Sequence, residues 1–189
     1  EDACFELSEA EVETLHEAAV ACEAMAAAGV ARAIADRAHL AALGLNERLI
    51  TLAQLSHRRG DPSLYGRFDF AWDGVNPPKL LEYNADTPTA LYEAAVVQYQ
   101  WLTDRWPDGD QYNAIHEALI SAWGRLAPFI AKGAGVLHLA SQMDDADDAA
   151  TCAYMADVAT QAGITTRLID ITDIGLNGRR LVDLDDAPI

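Results

Sequence analysis

Residues 65–84, "YGRFDFAWDGVNPPKLLEYN", change the rhythm of the chain, with polar and apolar residues alternating on either side of the turn-rich "DGVNPP". Short alternating runs are the signature of extended strands with one buried face, and two of them joined by Asp, Gly, Asn and Pro read as an antiparallel hairpin. Successive side chains leave a strand on opposite sides. Arg67, Asp69 and Ala71 therefore share one face, and Phe68, Phe70 and Trp72 the other. On the second run Leu80, Glu82 and Asn84 lie together, opposite Leu81 and Tyr83. If the aromatic face and the Leu81/Tyr83 face are buried together, Arg67, Asp69, Glu82 and Asn84 project from the far side as one polar cluster.

Helical periods flank this stretch. "LSEAEVETLHEAAVACEAMAAAGVARAIA" opens with a capping box, Ser8 with Glu11, and sets Leu15, Ala18, Cys22 and Met25 on one stripe. "LNERLITLAQLSHRRG" repeats the pattern, with Asn46 as cap and Gly60 as stop. After the hairpin, "DTPTALYEAAVVQYQWLTDRW" predicts a helix capped by Thr87 with Pro88 at its first position. "DQYNAIHEALISAWGRLAPFI" predicts another, ending before the Gly133/Gly135 turn. Then "GVLHLA", a helix over "SQMDDADDAATCAYMADVATQAG" and "ITTRLIDI" form a strand–helix–strand unit of Rossmann type, with parallel strands expected. Asn177-Gly178 marks a further hairpin. The fold class is α/β.

The 189 residues are 51% apolar, enough for a real core, and carry thirty acidic against thirteen basic residues for a net charge of -17. Such a charge disfavours nucleic acid and anionic membrane as partners and favours small molecules, cations and metal ions. A polyanion such as ATP would need local help from arginine or bound metal. Cys4, Cys22 and Cys152 are widely spaced and show no metal or redox pattern, which suits a reducing cytoplasm. The five histidines are scattered singly, and none is assigned chemistry. No apolar run approaches the ~18 residues of a membrane span.

Two carboxylates and an amide oxygen are hard donors that suit Mg²⁺ or Mn²⁺ completed by water and phosphate oxygens. Arg67, permanently charged on the same face, is placed to fork onto a phosphate. From spacing alone a solvated Arg67–Asp69/Glu82 ion-pair network, with Asn84 and Asp86 starting a turn, is the more ordinary reading. Downstream, Thr87 and Thr89 stand where a helix start welcomes an anion. Acidic "SQMDDADDAA" lacks the glycine and terminal glutamate of a calcium loop and reads as a solvated helix start. Tyr99, Trp101 and Trp106 read as packing aromatics.

The residues "YGRFDFAWDG…PPKLLEYNADTPTALYEAAVVQYQWL" resemble the glutathionylspermidine synthase family, in particular its short bacterial members without the amidase domain. The shared motif is R-F-D followed by E-Y-N-A-D-[ST]-x-[ST]. The resemblance implies an ATP-grasp carbon–nitrogen ligase that activates a peptide carboxylate as an acyl phosphate and passes it to an amine, with ATP and Mg²⁺ as cofactors. It implies that Arg67 stabilises the transferring phosphoryl group and that Asp69, Glu82 and Asn84 ligate magnesium. It further implies that Arg67, Phe68 and Asp69 contact nucleotide phosphates, and that Thr87 and Thr89 face a glutathione-like peptide, with a polyamine-like amine as the other substrate. Where members of established glutathionylspermidine chemistry have a cysteine after the second hydroxyl residue, Ala90 stands here. On this reading residues 1–133 form the helical and hairpin part carrying the metal/phosphate site and 134–189 a Rossmann-like pre-ATP-grasp unit. The remaining ATP-grasp half is expected beyond Ile189, leaving the piece inactive alone. The competing reading is a non-catalytic peptide- or polyamine-binding module on the same fold; a purely structural domain is the third.

Overall fold

A computed structural model of the protein describes residues 4–86 and 88–189. The chain forms two compact units, Glu1–Thr87 and Pro88–Ile189. The first consists of α1 (Glu9–Ile34), α2 (Arg37–Ala42), α3 (Glu47–Arg59) and the strands β1 (Arg67–Ala71) and β2 (Lys79–Asn84). The second runs through a π-helical turn (Glu93–Val97), α4 (Gln98–Arg105), α5 (Ile115–Lys132), β3 (Leu137–Ser141), α6 (Ala146–Gln161), β4 (Thr166–Asp170), a 3-10 turn (Ile171–Asp173), β5 (Gly175–Asn177) and β6 (Arg180–Val182). The mixed α/β class agrees with the sequence. No helix among the described residues is long and apolar enough to cross a membrane.

In the first unit the helix ends form where side chains can satisfy orphan backbone groups. Ser8 Oγ accepts from the Glu11 N–H at 3.4 Å while Glu11 Oε2 accepts from the Ser8 N–H at 2.7 Å, the reciprocal box expected at the start of α1. Asn46 Oδ1 accepts from the Leu49 N–H at 3.0 Å to start α3, and Gly60, at φ 64°, ends it in a left-handed turn. Gln54 of α3 donates to the Ile34 carbonyl at 2.9 Å and accepts from Arg37 at 2.8 Å, tying the end of α1 to the next two helices. Leu40 and Ile50 are buried between them. The α1 stripe is only half covered: Leu15, Ala18 and Cys22 are half-buried and Met25 is exposed.

The hairpin pairs antiparallel, Arg67 with Asn84, Phe68 with Tyr83 and Asp69 with Glu82. Phe68 and Tyr83 stack with ring centroids 4.0 Å apart, and the Tyr83 hydroxyl donates to Glu23 of α1 at 2.8 Å, so the aromatic face turns toward that helix. Gly66 permits this packing, because a Cβ there would lie 2.7 Å from Tyr83 Cε2. Strict alternation does not persist along β2. The register shifts between Asp69 and Phe70, Phe70 pairs with Leu80, and Leu81 is left without a cross-strand partner and 67% exposed. The expectation that Leu81 is buried beside Tyr83 is thus corrected by a β-bulge, which adds one residue to β2 and bends it.

The second unit begins differently from the sequence prediction. Pro88 is not a helical residue, and helix starts only at Leu91, because Ala90 takes φ 66°, which no helical path from Pro88 can include. Thr87, the expected cap, lies outside the described residues. Helix then runs through the π-helical turn, and Asn113 Nδ2 donates to the Ala94 carbonyl at 3.1 Å while its Oδ1 accepts from the Ile115 N–H at 3.4 Å. One side chain thereby joins the wide turn to the start of α5. Trp101 and Trp106 meet edge to face, ring centroids 5.1 Å apart.

Downstream, β3 and β4 pair in parallel, from Leu137 with Thr166 to Ser141 with Asp170. The connection through α6 is the expected strand–helix–strand unit. Tyr154, Met155, Ala156, Val158 and Ala159 of α6 are buried, with Leu119 and Trp123 of α5 adding to the core. The Gly133/Gly135 turn therefore joins elements within one compact unit. The last hairpin turns on Gly178 and Arg179, one residue later than Asn177-Gly178, since Asn177 pairs with Arg180 and it is Gly178 that takes φ 63°. Just past β6, Asp183 is buried. Its carboxylate accepts from the Asp185 and Ala187 N–H groups, both at 2.9 Å, from His138 Nε2 of β3 at 3.2 Å and from Arg167 of β4. This knot fixes the chain after β6 to both parallel strands.

Burial alone would raise the Asp183 carboxyl, but hydrogen bonds from Ala187, His138, Asp185 and Arg167 outweigh it and lower it from 3.8 to about 2. A depressed folded-state pKa gives stability that is complete above the unfolded value of 3.8 and is lost as pH falls toward about 2. Acid titrations followed by tryptophan fluorescence are expected to show Asp183→Asn less stable than wild type at neutral pH, with the gap closing across that window. In the first unit, Gly66→Ala forces Tyr83 or its strand to move, and urea melts of the intact protein are expected to show a loss of about 1–3 kcal/mol.

Candidate metal and phosphate site on the hairpin

Antiparallel pairing sets Asp69 directly opposite Glu82 and Arg67 directly opposite Asn84. All four side chains meet on the face away from the Phe68/Tyr83 stack. Arg67 Nε lies 2.7 Å from Asp69 Oδ1 and its Nη2 lies 3.2 Å from Oδ2, a two-pronged grip on one carboxylate. The same Nη2 is 3.8 Å from Glu82 Oε1, which accepts from Asn84 Nδ2 at 2.8 Å. Arg67 and Asp69 are about one-third exposed and Glu82 is more open at 59%. Like charges facing each other across a ladder repel, and the guanidinium compensates by touching both. The Arg67 hydrogen bond holds Asp69 below the usual carboxylate range against the opposing effect of desolvation. Asp69 in turn raises Arg67. Both stay ionised throughout the neutral range.

Asp69, Glu82 and Asn84 offer hard oxygen donors on one face, with Arg67 Nη2 3.2 Å from one carboxylate and 3.8 Å from the other. Among the described residues no three His, Cys, Asp or Glu side chains gather as a metal group. A divalent ion here would rest on two carboxylates, one amide and oxygens from water or ligand, the chemistry of Mg²⁺ rather than of zinc. The residues therefore fit such an ion in donor type. Phe68, expected beside the phosphates, stacks its ring on Tyr83 on the other face. Thr89 is exposed at a bend in the second unit, and Thr87 lies outside the described residues.

Electrostatics argue against a phosphate at the other conventional place, the carboxyl ends of the parallel strands. Asp145 already accepts from the Asp147 and Asp148 N–H groups at 3.0 and 3.1 Å, so the start of α6 is capped internally. Asp144, Asp147 and Asp148 surround it with negative charge. Asp170, at the end of β4, takes the Met143 N–H at 3.0 Å. The hairpin instead sets a guanidinium beside two carboxylates and an amide on one strand face.

Sequence reasoning missed the groups that hold this face in place. Glu23 reads as one more exposed helical acid, and its bond to Tyr83, 60 positions away, has no local signal. Gly66 beside Arg67 was an available hint, because glycine next to a strand aromatic often marks a close approach. Asp73 in the hairpin turn accepts from the Asn76 side chain and from the Asn76 and Val75 N–H groups, which lower it to about 2. The D-G-x-N spacing carries that signal.

Comparison with known proteins gives these features a family. The sequence pattern described as "Glutathionylspermidine synthase preATP-grasp" matches residues 1–189. A protein of Haemophilus influenzae named "Putative acid–amine ligase" is 45% identical over 143 residues, which are 73% of this chain and 36% of that protein. The aligned part thus spans little more than a third of that relative's length. With the family pattern running along all the residues that build the hairpin and the parallel unit, the chain belongs to the glutathionylspermidine synthase pre-ATP-grasp family.

Proposed function

We propose that this chain carries the metal- and phosphate-binding face of an ATP-dependent, amide-forming ligase. In the overall reaction the terminal phosphoryl group of ATP passes to a peptide carboxylate, ADP leaves, and an amine nitrogen attacks the acyl carbon. The carbon–nitrogen bond forms as the bond to the phosphate oxygen breaks, inorganic phosphate departs, and the amine's proton goes to solvent. The observation that carries this reading is the convergence of Arg67, Asp69, Glu82 and Asn84 on one hairpin face. Family membership and the name of the Haemophilus relative support it.

Two polyanions must approach for an acyl phosphate to form, so the site has to supply positive charge where charge develops. Arg67 orients and neutralises the transferring phosphoryl group. Asp69, Glu82 and Asn84 hold Mg²⁺, which when bound supplies charge screening between the phosphates. The backbone of the Arg67-Phe68-Asp69 stretch follows the nucleotide phosphates, with the Phe68 ring turned to the other face, and Thr87 and Thr89 serve the peptide. Substrates of a glutathione-like peptide and a polyamine-like amine fit the family, and a chain of net charge -17 attracts a polycation. Three cysteines without disulfides suit a reducing cytoplasm.

The test incubates the intact protein with ATP, magnesium and pools of small peptides and amines, and searches by mass spectrometry for a product joined with loss of water. Product with stoichiometric ADP is expected. Retained polyamine binding without any product would instead identify a binding module. In the intact protein Arg67→Ala is expected to lower ADP formation about 10³-fold with an unchanged circular dichroism spectrum. Undiminished turnover would remove Arg67 from the reaction.

A further inference from the structure

We infer that Arg67 is the built-in counter-ion of the Asp69/Glu82 pair: it occupies the metal-facing oxygens of Asp69 until a divalent cation displaces it, and only then is its guanidinium released toward an anion. The inference rests on the metal reading above and adds an order of events to it.

Three observations carry it. Asp69 and Glu82 are direct cross-strand partners, so without a cation between them their repulsion would push β1 and β2 apart at this point. Arg67 supplies that cation with a fork on both Asp69 oxygens, at 2.7 and 3.2 Å, and with Nη2 3.8 Å from Glu82. Glu82 Oε1 is itself engaged by the Asn84 amide at 2.8 Å. A metal ion approaching Asp69 therefore meets a carboxylate whose two oxygens are both already engaged by the guanidinium, and competes with it for them. Arg67 and Asp69 are two residues apart on one strand face and about one-third exposed, so the exchange needs a side-chain rotation and not an opening of the hairpin. The like charges of guanidinium and metal then disfavour their sharing one carboxylate. A phosphate group relieves that conflict by accepting the guanidinium. Metal and phosphate accordingly assist each other's binding, and free metal alone binds weakly.

The test is calorimetric titration of Mn²⁺ into the nucleotide-free, full-length protein at physiological salt, for wild type, Arg67→Ala, Arg67→Lys and Asp69→Asn. Arg67→Ala is expected to bind Mn²⁺ about three- to tenfold more tightly than wild type, with Arg67→Lys between them and Asp69→Asn losing the site. Thermal melts supply the second readout: without metal Arg67→Ala melts below wild type, and Mn²⁺ narrows the gap. If Arg67→Ala does not fold, Arg67→Gln removes the charge while keeping a hydrogen-bond donor, and the same order is expected. Asp69-dependent binding that is equal or weaker in the Arg67 variants, with a melting gap that ignores Mn²⁺, overturns the inference and leaves the metal reading standing. Mn²⁺ binding insensitive to Asp69→Asn removes both.

Discussion

Asp69 and Glu82 face each other across an antiparallel ladder, and a cation beside both offsets their repulsion. Arg67 is that cation in the structure, and its position follows from the pleat: two residues along the same strand is the one same-face neighbour on β1 that reaches both carboxylates. The pairing of Arg67 with Asn84 brings the amide to the same place. A sheet face that would ordinarily be a solvated mixture of charges becomes a set of oxygens around one fixed positive group. In that arrangement the guanidinium already lies beside the carboxylates and need only turn to meet an incoming anion.

The polar face depends on the opposite, apolar one. Phe68 and Tyr83 stack as cross-strand partners between the same two residue pairs that define the cluster, so any slip of one strand would separate the carboxylates as well as the rings. Tyr83 then reaches Glu23 on α1, and Gly66 leaves room for its ring. Helix, glycine and aromatic pair thus act on the site through register. The bulge between Asp69 and Phe70 ends this register, and pairing resumes with Phe70 opposite Leu80 and Ala71 opposite Lys79.

Much of this was legible, and the misses share a cause. The capping box at Ser8, the cap at Asn46 and the left-handed stop at Gly60 are local chemistry, readable wherever the side chain that satisfies the backbone is only a few residues away. The strand–helix–strand unit follows from a change of period and a right-handed crossover rule. The four-residue cluster follows from alternation once the Phe68/Tyr83 side is taken as the inner face. By contrast, Leu80 and Leu81 are identical, so no pattern distinguishes which of them pairs with Phe70, and the bulge is invisible. Pro88 gives a strong helix-start signal that is overridden at Ala90, whose left-handed φ of 66° carries no residue preference of its own, as glycine or asparagine would. Glu23 meets Tyr83 only because α1 and the hairpin pack together, which sequence spacing does not encode.

The strained backbone at Ala90 and the π-helical turn that follows lie directly after the motif that links hairpin to helix, and both are maintained at a cost of about 1–2 kcal/mol for the left-handed residue alone. Asn113 offsets part of that cost by holding the Ala94 carbonyl and the start of α5 together. Such conformations persist only where surrounding contacts over-determine them, and they concentrate beside binding groups. Negative charge is distributed in a complementary way: α6 caps its own start with Asp145 and crowds it with carboxylates, whereas the hairpin keeps a guanidinium against its acids. An overall charge of -17 is thus unevenly arranged, with uncompensated carboxylates crowding the start of α6 and a guanidinium set among those of the hairpin face.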